Sequence, residues 1–157
     1  MKRFILLILT VFLFQGCVVS QRGQNGADGF PGTNAGQNFV ILHESGYGGR
    51  ETESHEVIRS QQDLDALFKE LNHNSMTVDF SKYNVVAVFM GQKRSGGYSI
   101  TVEKVVVDGN TAQVLVKNTL PEQGAMVTMA LTAPYCMAAI PKTDKVIVKE
   151  NPVLIEK

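Results

Sequence analysis

The sequence predicts an α+β fold, a mostly antiparallel β-sheet with one main helix packed on it. Three observations carry that prediction. One stretch alone has a helical apolar stripe behind a capping residue, one has the unbroken apolar character of a central strand, and a run of short alternating segments follows. In chain order, Phe39 to Leu42 reads as a first strand, and the glycine-rich His43 to Thr52 (Gly46, Gly48, Gly49) as a loop or hairpin turn. His55 to Arg59 reads as a short strand. Ser60 then serves as N-cap, with Asp63 at the capping-box position, and Leu64, Leu67, Phe68 and Leu71 form one face of a helix that ends at Asn72-His73-Asn74. Val85 to Met90 is apolar throughout, as a strand covered on both faces must be. Tyr98, Ile100 and Val102 alternate with polar residues, Asp108-Gly109-Asn110 turns the chain, and Ala112, Val114 and Val116 alternate on the way back, which is a hairpin. Met126 to Leu131 and Cys136 to Ile140 are weaker strand candidates, and Lys145 to Lys149 alternates again.

The 157 residues leave room for one ordinary domain, and 15 basic against 15 acidic side chains give a net charge of +0. That balance argues against a nucleic-acid partner, which a basic excess would announce. Two cysteines build no disulfide scaffold, and three histidines well separated along the chain make a poor metal kit, so neither metal nor cofactor is expected.

The first residues point to export. Lys2 and Arg3 precede an apolar run from Phe4 to Phe14, broken by Thr10, which is too short for the ~20 residues of a membrane-spanning helix. It ends in Phe14-Gln15-Gly16-Cys17, which resembles a lipoprotein signal although Phe14 and Gln15 depart from its tightest form. The resemblance implies cleavage after Gly16 and acylation of Cys17, so residues 1–16 read as a signal peptide and membrane lipid becomes a partner through the acylated Cys17. Stable anchoring needs two or more acyl chains, which this processing supplies. Val18 offers no resemblance to an inner-membrane retention signal, so the expected location is the outer membrane, facing the periplasm or the cell surface. Residues 17–37 then read as lipidated cysteine plus tether. Glycine recurs every third residue from Gly23 to Asn34, resembling collagen, but the period breaks at Ala35, and a flexible linker reaching roughly 25 Å is the plainer reading. Residues 38–157 form the single folded domain.

No catalytic constellation emerges, and the chain is expected not to be an enzyme. The Gly-x-Ser-x-Gly nucleophile elbow is absent, and no His-x-x-x-His pair is present. Glu51, Glu53 and Glu56 read as a solvated face, and Cys136, among small and apolar neighbours, as a buried structural thiol. Gly96-Gly97 precedes a strand rather than a helix, so a phosphate bound there would lack a helix N-terminus.

The run from Val85 to Met90, followed by Gly91-Gln92-Lys93-Arg94-Ser95-Gly96-Gly97-Tyr98, then Pro121 and the Pro134-Tyr135 dipeptide, resembles the C-terminal domain of PrcB-like protease complex subunits over roughly residues 78–142. The resemblance implies a lipoprotein that accompanies a surface protease complex and has no catalysis of its own. A protein partner, such as that protease, is therefore expected. Ser95, Gly96, Gly97 and Tyr98 together with Pro134 and Tyr135 are the candidate partner-binding lip, placed at one end of the sheet. As architecture alone, the same turn would set the hairpin register, with Tyr98 capping the core. A second functional reading makes the domain a binder of glycans or small molecules through Tyr47, Tyr98 and Tyr135 on glycine-rich loops.

Overall fold

The computed structural model describes residues 37–151; the signal peptide, Cys17 and the glycine-repeat tether lie outside the described residues. Seven strands and one helix follow in the order β1 (Val40–Ser45), β2 (Ser54–Ile58), α1 (Gln61–Glu70), β3 (Tyr83–Phe89), β4 (Ser99–Asp108), β5 (Thr111–Thr119), β6 (Tyr135–Pro141) and β7 (Lys145–Asn151). They build two sheets rather than the single sheet expected. One is four-stranded in the order β1-β6-β3-β2 and antiparallel throughout; the other is three-stranded in the order β4-β5-β7. The mostly antiparallel character holds except between β5 and β7, which are parallel. The reason is topological. The chain leaves β5, crosses to the other sheet for β6 and then returns, and that intervening strand reverses its direction.

The four-stranded sheet is the middle layer, and period-2 alternation divides its central strands between two cores. Val86 and Val88 of β3, with Cys136, Ala138 and Ile140 of β6, face Ile100, Val102, Ala112, Val114 and Val116 of the second sheet. Their neighbours Val85, Ala87, Phe89, Tyr135 and Met137 join Leu64, Leu67, Phe68 and Leu71 of the helical segment on the opposite side. Both central strands are therefore apolar at nearly every position.

The helix is short, and local chemistry sets its ends. Ser60 is extended, its Oγ accepts the Asp63 N–H at 3.2 Å, and its hydroxyl donates to Asp63 Oδ2 at 2.7 Å. At the far end Asn72 takes φ 57°, a left-handed geometry that asparagine tolerates better than most residues. The β4–β5 hairpin turns where expected, with Gly109 at φ 54°. Two local expectations need correction. β1 continues through His43 to Ser45, because β6 supplies pairing partners as far as Tyr135. Met126 to Leu131 is not a strand: it joins no ladder, and its large side chains face solvent.

Candidate functional site

The six residues of the expected lip do gather at one end of the four-stranded sheet. β3 and β6 end side by side there, with Phe89 opposite Tyr135. The chain leaving β3 is held against the chain entering β6 by main-chain bonds. Met90 N–H donates to Pro134 O (2.9 Å), Lys93 and Thr132 exchange two bonds (2.8 and 3.0 Å), and Gly96 N–H donates to Thr128 O (2.9 Å). The Thr132 hydroxyl donates to Ser95 O at 2.8 Å. The two loops thus form one interlocked unit.

Glycine is required where the packing is tightest. Gly97 sits at φ 86°, and a Cβ there would lie 2.8 Å from Pro121 Cβ and 3.1 Å from Val127 Cγ1. Gly91, at φ 74°, brings its backbone against Glu53, where a Cβ would meet the amide nitrogen at 2.8 Å. A Cβ on Gly96 would meet Thr128 Oγ1 at 2.5 Å. These glycines serve the close approach of two protein segments, which accounts for the Gly-Gly signal without an anion.

Burial divides the lip. Gly96 and Pro134 are buried, and Tyr135 has 0% of its surface exposed. Ser95 and Tyr98 are half-buried, with Tyr98 packed on the edge of the inter-sheet core, and Gly97 is exposed. Pro134 and Tyr135 therefore cannot present side chains to a partner, which corrects the expectation for both. Tyr135 points into the helix-side core and stacks near Phe89, with centroids 6.0 Å apart. The same burial removes one ring from the proposed tyrosine platform, since Tyr47 is well exposed and Tyr98 only partly so.

The loop exposes several large apolar side chains among polar ones such as Glu122, Gln123 and Thr128. Met126 is 103% exposed, Met129 92% and Leu131 63%, with Leu120 at 45% beside them in the chain. These residues read as strand from composition alone. The only sequence signal against that reading is Pro121 and Gly124 just before them.

Among the described residues, burial and the neighbouring Glu53 carboxyl raise the Glu150 carboxyl above its ordinary range. Cys136 is fully buried, and burial pushes its thiol up to about 11, which makes it inert. Arg50 binds Glu70 (2.7 Å) and Glu56 (3.3 Å) and lies over the Phe89 ring at 4.5 Å; its hydrogen bond holds the Glu70 carboxyl below its ordinary range. Among the described residues no three His, Cys, Asp or Glu side chains come together as a metal site. Two histidines, distant in sequence, do meet: His43 and His73, with ring centroids 4.2 Å apart.

The architecture defines a β-rich α+β domain of two stacked sheets, tied together at one end by glycine-dependent loops. Residues 84–141, from β3 to the end of β6, match the family described as PrcB C-terminal, so this segment of the chain is similar to that family. The matched segment falls inside the region picked out by the Ser-Gly-Gly-Tyr turn and the Pro-Tyr dipeptide. Neither the curated proteins nor the solved structures contain a match to this chain.

Proposed function

We propose that this protein is a membrane-tethered accessory subunit without catalysis of its own, which docks on a partner protein through the loop between β5 and β6. The family description supports a protease complex as the setting. The observation that carries the docking surface is the exposed series Met126, Met129 and Leu131. Soluble domains seldom leave several large apolar side chains together in water, and methionine adapts well to a partner's contours. The rigid lacing beneath this loop holds the exposed series in one place.

Placement supports the same reading. Val40 pairs with Ala139 and Ser45 with Tyr135, so β1 enters the sheet four residues along β6 from the loop, roughly 13 Å away at a strand's rise per residue. A tether joined ahead of Val40 would enter the domain at the end of β6 away from the methionine loop. Anchoring through acylated Cys17, on the outer membrane, belongs to this proposal.

Capture from solubilised membranes tests it. Wild-type protein should retain a stoichiometric protein partner, and a Met126→Ser/Met129→Ser double variant should lose it while keeping its melting temperature. Undiminished capture by the double variant would reject the loop as the docking surface. Separately, Cys17→Ser should leave the detergent phase in Triton X-114 partitioning; an unmodified Cys17 thiol on soluble wild-type protein would reject the anchor.

A further inference from the structure

The exposed series Met126, Met129 and Leu131 has a basic edge. Lys93 and Thr132 form an antiparallel bridge, exchanging main-chain bonds of 2.8 and 3.0 Å, which brings Arg94 opposite Leu131 at the next position. Arg94 and Leu131 are both exposed while Thr132 is buried, as alternation along the bridged segments requires. Lys93 is half-buried, and its ammonium lies over the Tyr98 ring, 6.0 Å from the centroid.

Neither cation is neutralised within the domain. Among the described residues the ion pairs join Arg50 to Glu56 and Glu70, and Lys82 to Asp79; Lys93 and Arg94 enter none. Glu122 is the single carboxylate between Leu120 and Pro134. Glu51 and Glu53 border the other edge of the chain leaving β3, where Gln92 N–H donates to Glu51 O at 2.9 Å and Gly91 approaches Glu53.

We propose that the occupant of this surface is a segment of the partner protein in which large apolar side chains are flanked by Asp or Glu. The proposal rests on the reading of this loop as the docking surface and names the chemistry of what docks. The apolar side chains cover Met126, Met129 and Leu131, and the carboxylates meet Arg94 and Lys93. Charge decides the composition. A purely apolar cover would strip water from Arg94 beside Leu131 and return no acceptor, whereas a carboxylate matches the guanidinium fork with two hydrogen bonds. Anionic lipid headgroups carry the same sign of charge. β1, however, begins with Val40 opposite Ala139, at the end of β6 away from this loop, so a tether joined there favours protein as the occupant.

The test treats membranes holding the full-length protein with a water-soluble carbodiimide, which joins an amine to a carboxylate without a spacer. Mass spectrometry should find Lys93 Nζ joined to an Asp or Glu within an apolar stretch of the captured partner. In the capture assay Arg94→Glu should reduce bound partner about tenfold or more, and added sodium chloride should weaken capture by the wild type. Arg94 is exposed, so the variant should keep its melting temperature. Lys104→Glu, an exposed lysine on β4, controls for net charge and should change nothing. Loss of the partner in Met126→Ser/Met129→Ser with full retention in Arg94→Glu would overturn the acidic segment and leave the docking loop standing. Retention in both variants would overturn the docking loop as well. The lipid alternative is read in phosphatidylcholine vesicles carrying the full-length protein alone. Protection of Met126 and Met129 from peroxide that appears only with added phosphatidylglycerol would assign the surface to anionic lipid and overturn the proposal.

Discussion

Residues 126–131, Met-Val-Thr-Met-Ala-Leu, and residues 135–140, Tyr-Cys-Met-Ala-Ala-Ile, are close in the chain and similar in apolar content, yet they end in opposite environments. The second segment is wholly buried, while the first leaves Met126, Met129 and Leu131 in solvent. The difference lies in what flanks them. β6 has β1 on one side and β3 on the other, a helix against one face and a sheet against the other. Residues 126–131 are bonded through Thr128 to the chain leaving β3, and Met126, Met129 and Leu131 have no second layer over them. Apolar composition permits burial, but neighbours on both edges and both faces produce it. The exposed segment is then free to serve a surface role.

Substitutions sharpen this contrast, and the largest effect belongs to the buried side. Tyr135→Ala should cost about 3–5 kcal/mol of unfolding free energy in denaturant melts, the cost of emptying a large ring from a packed core. Tyr135→Phe should stay within about 1 kcal/mol of wild type or gain stability, because it removes a hydroxyl that has no partner. A large loss would reveal a hydrogen bond to that hydroxyl and contradict its isolation. The lacing between the two regions comes next. Gly97→Val should lower stability by about 2 kcal/mol or more, since a β-branched residue resists φ 86° and its Cβ has no room beside Pro121. Wild-type stability in this variant would mean that the loops are not held as tightly as the contacts indicate. On the exposed side, Met126→Ser/Met129→Ser should change stability by no more than about 0.5 kcal/mol, as surface substitutions do. A loss comparable to that of Tyr135→Ala would erase the contrast.

The smallest expected signal is chemical. With its thiol raised to about 11 and its side chain fully buried, Cys136 should resist alkylation at pH 8, read by site-resolved mass spectrometry. Modification on unfolding alone supports the two-sided cover over β6. Labelling of the folded protein at the rate of a free thiol would show that the strand opens.

Much of the β-framework was legible because its physics is local. Ser60 caps α1, the stripe Leu64, Leu67, Phe68 and Leu71 faces a core, and Gly109 turns the β4–β5 hairpin. At the turn Ser95-Gly96-Gly97-Tyr98, paired glycines between strands permit close contact, and Pro121, Val127 and Thr128 approach there. The candidate lip was legible only in part. Ser95, Gly97 and Tyr98 keep some exposure, but Pro134 and Tyr135 face inward. In a strand with both faces covered, alternation does not separate inside from outside, so the direction of the tyrosine was not written in its neighbours.

What the amino-acid sequence determined by itself is each element whose cause lies within a few residues: caps, turns and apolar periods. Tertiary structure alone decided how those elements meet. It divided the strands into two sheets, set β7 parallel to β5 by routing the chain through β6, and left the 126–131 loop uncovered while burying its near twin. It also placed His43 beside His73 on Tyr135. The reason is that side-chain periodicity reports which faces need covering and carries no information about which distant segment will cover them. That choice depends on the packing of all layers at once.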